Sequence, residues 1–283
     1  MKSVIADAPA PVVDVPVRHG FDLSALAALF VLTLRQHLRG RRLLILSLLF
    51  LLPSVLAAVT RFARHSPPPE HLEFVLVLNL LPHALATLTA LLYAAGIIQD
   101  EVEEQTLTYL LLRPLPRWAL YITKLAVTVV VTSVLTGVFT ILAYVVIYWN
   151  TAELWSDVLP GRAPKTVALL ALAQVGYCSL FGTLSLFTRR SLLVGLGYIV
   201  AIEGVLANFE SVIRRLTVMY YFRVLSVRWL GPADKDVWSI DLDTAPSAGT
   251  CVLTLLGASA VITLLGAVLM MRREFRMKTP EGS

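Results

Sequence analysis

Long apolar runs alternate with short polar stretches along the chain, and the runs are longer than the strands or helices of most soluble cores. A helix rising about 1.5 Å per residue needs about 20 apolar residues to cross the hydrocarbon core of a bilayer. Six runs fit this length, at residues 43–62, 74–98, 125–148, 166–187, 191–209 and 247–271. The pattern therefore predicts an all-α membrane protein with six transmembrane helices.

Composition supports a single membrane domain, which we place at residues 43–278. Hydrophobic residues make up 57% of the 283 residues, charged residues only 15%, and the mean hydropathy is +0.75. A soluble core of this size could not bury so much apolar surface. The net charge of +5 could suggest a nucleic-acid partner, but the basic residues flank the apolar runs, so we interpret them as topology signals and expect no nucleic acid.

The distribution of Lys and Arg predicts the orientation of the spans. With a cytoplasmic N-terminus, fifteen of the 24 basic residues fall in cytoplasmic segments, as the positive-inside rule requires. We therefore expect a multi-pass protein of the cell (inner) membrane, with both termini in the cytoplasm and membrane lipids around it.

The chain ends are predicted to lie outside the spans. Residues 1–20 contain three prolines and no continuous apolar centre, which favours a disordered cytoplasmic tail, and residues 279–283 form a second short tail. Residues 21–42 have an apolar body and a basic end, which is typical of a helix lying in the membrane interface. This helix would turn into the first span at Gly40, although a simple extension of that span is the alternative.

A charged insert at residues 99–118 separates the second and third runs. Carboxylates in hydrocarbon cost several kcal/mol, so its acidic residues must face water or a partner. A short helix with one leucine face follows, and prolines end it. The residues of this candidate docking surface are Asp100, Glu101, Glu103, Glu104, Thr106, Leu107, Leu110, Leu111, Pro114 and Arg117. A solvated connector is the alternative interpretation.

The stretch DEVEEQTLTYLLLRPLPRWALYITK resembles the signature of type 2 ATP-binding-cassette (ABC) transporter permeases. The matching residues are Glu101, Glu104, Thr106, Leu107, Leu110, Leu111, Pro114, Arg117 and Lys124. Gln105 stands where that family usually has glycine. The resemblance extends to the plan of the chain, with an interfacial helix, six spans and a long external loop before the last span.

The resemblance implies that the insert is a coupling helix seated in a groove of a separate cytoplasmic ABC ATPase. Two ATPase subunits and a second permease chain, identical or similar, would complete an exporter-like transporter that moves an unidentified substrate. ATP and Mg would then be bound by the ATPase, and this chain would bind no cofactor itself. A non-transporting membrane anchor or regulatory subunit is the alternative of a different class.

Polar residues within the runs are candidates for a translocation path. Glu203 lies about midway along the fifth run, where an ionisable group is expensive and suggests function. Asn79 and Gln174 are further candidates, although hydrogen bonds between helices would also explain them. The basic and apolar loop at residues 210–246 resembles an external gate, and a loop resting on lipid is the alternative.

No enzymatic chemistry is predicted for this chain. The nearest match to a phosphate-binding loop, LPGRAPKT, lacks both required glycines. Glu103 and Glu104 do not continue into the Glu-Glu-x-x-x-Arg pattern of a membrane protease family, and the five histidines lack ligand spacing. We therefore expect no catalytic residue and no metal site, and we interpret Cys178 and Cys251, both inside apolar runs, as small core residues.

The predicted orientation can be tested by thiol labelling. Cysteines introduced at Glu104 and Asp234 should lie on opposite sides, so an impermeant thiol reagent added to sealed cells should label position 234 and spare position 104. Labelling of position 104 alone would reverse the topology.

Overall fold

The computed structural model describes residues 23–61, 67–103, 116–188, 190–205, 212–232 and 234–272, and all regular structure in these ranges is helical. The main helices are α1 (Leu23–Arg39), α2 (Arg41–Arg61), α3 (Pro69–Gln99), α4 (Arg117–Ile147), α5 (Leu154–Phe187), α6 (Ser191–Val205), α7 (Val218–Leu230) and α8 (Ala248–Arg272). The last residues of α3 also belong to a short helix, Gly96–Glu103, which extends beyond Gln99. 3₁₀ turns cover Val212–Leu216 and Lys235–Trp238.

The all-helical membrane class predicted from the sequence is confirmed. Within the described ranges, five helices are long and apolar enough to cross a membrane, namely α2, α3, α4, α5 and α8. The fifth predicted run corresponds to α6, which is apolar but shorter, and residues 206–209 of that run lie outside the described residues. The sixth crossing therefore stays a prediction.

Two helices begin earlier than the apolar runs suggest. We expected spans from residues 125 and 166, whereas α4 begins at Arg117 and α5 at Leu154. Lys124 does not end its helix because its side chain is buried and its ammonium donates to the Ile97 carbonyl at 3.4 Å. Likewise, α5 continues through Arg162, whose charge is compensated within the bundle.

The chain turns at Gly40, between the end of α1 and the start of α2, as the sequence predicts. α1 packs along α4 through Leu29 and Thr33, while Val31 and Leu32 on its other side are exposed. α1 is therefore a separate helix, and its location in the membrane interface stays a prediction.

α4 and α5 form the centre of the bundle, and α3, α7 and α8 pack around them. α8 approaches this pair very closely at Gly266, where a Cβ atom would lie only 2.6 Å from the Tyr121 hydroxyl oxygen. Tyr121 and Thr183 are themselves hydrogen-bonded at 3.0 Å, and Thr183 donates to the Ile262 carbonyl of α8. Only glycine fits at this crossing.

α7 covers only one half of the bundle. We use "far end" for the end of the bundle opposite the end where α3 stops and α4 starts. α7 begins beside Gly176, about midway along α5, and it ends at Leu230, next to Arg162 at the far end. Ten of its thirteen residues are buried, and it packs against α5 and α8. This burial does not fit a loop resting on lipid. A short helix that does not cross the membrane is tolerated at membrane depth where protein encloses it, as it encloses α7.

Gly266→Ala should lower stability by about 1–3 kcal/mol, because the new methyl group must displace Tyr121 or Thr183 in a close-packed site. Gly257→Ala on the same helix is the matched control, since no heavy atom lies within 4 Å of its added Cβ. Unfolding in mixed detergents would measure both variants. Equal stability of the two variants would show that the α8 crossing is not tightly packed.

Candidate functional site

Four of the predicted docking residues are described, and they lie where α3 stops and α4 starts. Asp100, Glu101 and Glu103 belong to the helix Gly96–Glu103, and Arg117 is the first residue of α4. The other predicted members, Glu104, Thr106, Leu107, Leu110, Leu111 and Pro114, lie outside the described residues. The coupling role of this insert therefore stays a prediction.

The chain on both sides of the insert is anchored by polar contacts. Besides the Lys124 contact to Ile97, the amide of Gln99 donates to the Thr188 carbonyl at 2.8 Å. The Ser191 hydroxyl at the start of α6 donates back to the Gln99 side chain at 2.8 Å. The end of α3 is thus tied to α4, to the end of α5 and to α6.

A polar residue recurs every four positions along α4 and at its C-terminal cap. This α4 polar seam consists of Lys124, Thr128, Thr132, Thr136, Thr140, Tyr144 and Tyr148, and all seven side chains are buried. Each threonine hydroxyl donates to the carbonyl four residues earlier, at 2.7–3.0 Å. Residues four apart are neighbours on a helix surface, and each such step advances about 40° around the axis, so the seam winds around α4 from Lys124 to Tyr148 as a continuous stripe.

Neighbouring helices contact the seam at successive levels. His37 of α1 is 3.1 Å from the Thr128 hydroxyl, and Cys178 of α5 lies 3.6 Å from that of Thr132. Gln174 of α5 donates to Thr136 at 3.2 Å and to the Ala86 carbonyl of α3 at 3.1 Å. Gln174, a candidate path residue, therefore bridges three helices with its amide.

The seam ends in a buried ionic group that we call the far-end cluster, formed by Glu73, Tyr144, Tyr148, Arg162 and Thr166. The Tyr144 hydroxyl donates to one Glu73 carboxylate oxygen at 3.0 Å, and the Tyr148 hydroxyl and the Arg162 guanidinium bind the other, the latter at 2.8 Å. Glu73 is 3% exposed. The cluster joins the beginning of α3, the end of α4 and the beginning of α5.

A second buried group, the central cluster, surrounds Glu203 and contains Asn79, His83, Tyr177, Tyr198, Glu203, Arg223 and Trp238. The Glu203 carboxyl group accepts hydrogen bonds from the backbone N–H groups of Val218 and Met219 at 3.2 and 3.3 Å. The Tyr198 hydroxyl donates to it at 3.4 Å, and the buried Tyr177 phenol is a further neighbour.

The rest of the central cluster links α7 to α3. Arg223, whose charge interacts with Glu203, lies 3.0 Å from the His83 ring nitrogen Nε2 and close to the Trp238 ring. The Trp238 indole N–H donates to the Asn79 side chain at 3.1 Å. The candidate path residues Asn79 and Glu203 thus belong to one cluster, whereas Gln174 lies in the seam.

Both clusters occur where the helices depart from α-helical geometry. π-Helical stretches cover Glu73–Ala86, Leu154–Arg162 and Ile199–Val205, and these contain Glu73, Arg162 and Glu203 respectively. Pro82 and Pro160 lie within the first two stretches, and a proline removes a backbone donor and disturbs the preceding turn. Such wide turns occur frequently at functional sites.

The site residues predicted from the sequence do not include Glu73, Arg162 or the α4 polar seam. The four-residue spacing of the seam is present in the sequence and indicates a polar stripe that winds around the third span. The pairing of Glu73 with Arg162 depends on which helix ends meet in space, which the printed sequence does not indicate.

An all-helical bundle with buried charges and five span-length helices defines a multi-pass membrane protein. The sequence profile described as ABC-2 family transporter protein matches residues 36–208, which is more than half of the chain. The chain therefore belongs to the ABC-2 transporter family, as its resemblance to type 2 permeases implied. It is a membrane permease subunit of an ABC transporter, a class that associates with an ABC ATPase. A search of curated proteins returned no match.

Glu73→Gln should lower the free energy of unfolding by about 1–3 kcal/mol, because Arg162 and two tyrosines lose the negative charge that they share. Glu70→Gln, an exposed neighbour one helical turn earlier, should change it by less than about 0.5 kcal/mol. Denaturation in mixed detergents would compare them. A similar loss in both variants would contradict the assignment of the far-end cluster as a stabilising centre.

Proposed function

We propose that this chain is the membrane-spanning subunit of an exporter-like ABC complex, in which ATP hydrolysed by a separate ATPase moves a substrate across the cell membrane. Membership of the ABC-2 family carries the proposal. The full assembly would contain two permease chains, identical or similar, and two ATPase subunits that bind ATP and Mg.

The proposed topology has six crossings, with α6 and the residues after Val205 forming the fifth. Both termini and residues 104–115 would face the cytoplasm, and the far end would face outward. The positive-inside bias supports this orientation. The insert would then be presented on the side where an ATPase meets ATP.

The insert is the proposed docking site for the ATPase. Its acidic residues, from Asp100 to Glu104, suit a basic groove, and its leucines suit an apolar floor. The anchored helix ends on either side support a role in force transfer, because Lys124 and Gln99 join the neighbouring helices directly at the insert. A push on the insert would therefore act on α3, α4 and α6 together.

Reversing the insert charges should weaken ATPase binding. In the double variant Glu101→Lys/Glu104→Lys, and separately in Leu107→Asp, we expect at least about tenfold less ATPase retained on the purified chain, since an unpaired buried charge costs about 3–5 kcal/mol. ATP hydrolysis in lipid discs should also lose its coupling to transport. Affinity purification with quantification of the retained ATPase measures the first effect.

The matched control is Glu70→Lys/Asp243→Lys, which makes the same charge change at exposed residues near the far end. This control should retain the ATPase at the wild-type level. If the insert variants also bind the ATPase and transport normally, the insert is only a solvated connector. If the wild-type chain retains no ATPase, the anchor or regulatory alternative gains support.

A further inference from the structure

We propose that α7 is latched at its two ends by side chains of opposite charge type from two other helices, Glu203 of α6 at its first turn and Arg162 of α5 at its last turn. The inference rests on the proposed transport function, and it makes both residues positioning residues for this helix. Glu203 would then act on the position of α7 and would not line the path itself.

The first turn of α7 is held by Glu203 of α6. The opening N–H groups of a helix have no partners within the helix, and they form the positive end of its dipole. The two oxygens of Glu203 accept from the first two of these groups, on Val218 and Met219. The Thr217 hydroxyl accepts from the N–H of Tyr220 at 3.2 Å. Glu203, 1% exposed, is therefore enclosed against the start of this helix.

The last turn of α7 is held by Arg162 of α5. Its guanidinium donates to the Leu230 carbonyl at 3.4 Å and to Glu73 at 2.8 Å. A cation is favourable at the negative end of a helix dipole. The chain then turns at Gly231 in the left-handed conformation, with φ of +56°. Arg162 thus couples the end of α7 to the far-end cluster.

The two latches belong to different helices, so relative movement of those helices would act on α7. Glu203 moves with α6, whereas Arg162 moves with α5 and, through the far-end cluster, with α3 and α4. Arg223 adds a contact between the middle of α7 and His83 of α3. Arg228 in the last turn of α7 also donates to carbonyls at residues 242–246, in the segment before α8. The other contacts of α7 are largely apolar packing, which constrains position less specifically than a directed hydrogen bond. If α6 shifts relative to α5, then either one of the two latches breaks or α7 moves together with α6.

The latch can be tested by cysteine accessibility in membrane fragments open on both faces. In a Cys178→Ala/Cys251→Ala background, Ser226→Cys places a nearly isosteric thiol on a fully buried position of α7. A maleimide probe should react slowly with it. Glu203→Gln or Arg162→Gln should raise the labelling rate about tenfold, which corresponds to about 1.4 kcal/mol.

The matched controls neutralise one acidic and one basic residue elsewhere on the far half of the bundle. Glu70→Gln and Lys165→Gln alter exposed residues and should leave the labelling rate of Ser226→Cys unchanged. Asp234→Cys serves as a half-exposed reference, whose labelling at the wild-type rate shows that a variant is correctly folded. Arg162→Lys retains the charge and should return the rate toward the wild-type value.

Two results would overturn the proposal. Ser226→Cys could stay unreactive in both latch variants while Asp234→Cys labels normally, which would mean that packing alone holds α7. Alternatively, Ser226→Cys could label as fast with Arg162→Lys as with Arg162→Gln. The exposure of position 226 would then result from lost packing and not from lost charge. No ATPase or substrate enters this measurement, so its failure is distinguishable from failure of the proposed transport function.

Discussion

The hydrocarbon core offers no water, so every polar group that enters the bundle must find its partner within the protein. The α4 polar seam meets this requirement along a whole helix. Its threonine hydroxyls donate to carbonyls of their own helix. The Thr136 hydroxyl also accepts from the Gln174 amide. The seam therefore places polar atoms between α4 and its neighbours with every threonine and tyrosine hydroxyl hydrogen-bonded, and it contacts α1, α3 and α5.

Charges need stronger compensation than hydroxyl groups do. Apart from Lys124, the buried charges of the described residues lie in two clusters. Glu73 and Arg162 neutralise each other at the far end, and two tyrosine hydroxyls also donate to the Glu73 carboxylate. Glu203 instead uses the N-terminus of a helix, together with the charge of Arg223. Both solutions require a helix end or a disturbed turn at the right depth, which is consistent with the π-helical stretches that carry these three residues.

The sequence predicts the class of the fold well because bilayer thickness imposes a length that can be counted. It predicts boundaries less well, since Lys124 and Arg162 look like the polar ends of spans until their partners Ile97 and Glu73 are known. Glu203 was identified because a lone acid in an apolar run is conspicuous. Its partners were not, because backbone N–H groups leave no signature in a sequence and α7 lies in what reads as a basic loop.

Contacts lead from the insert to α7 by two separate routes. One route begins at Lys124 and follows α4 to Tyr148 and Arg162, which holds the end of α7. The other begins at Gln99, passes to Ser191 and follows α6 to Glu203, which holds the beginning. If packed helices shift as rigid bodies between discrete arrangements, a displacement at the insert would reach both ends of α7 through different helices. A difference between the two displacements would rotate or slide α7, whereas equal displacements would carry it unchanged. Relative motion of α5 and α6 would therefore act directly on the polar contacts at the two ends of α7.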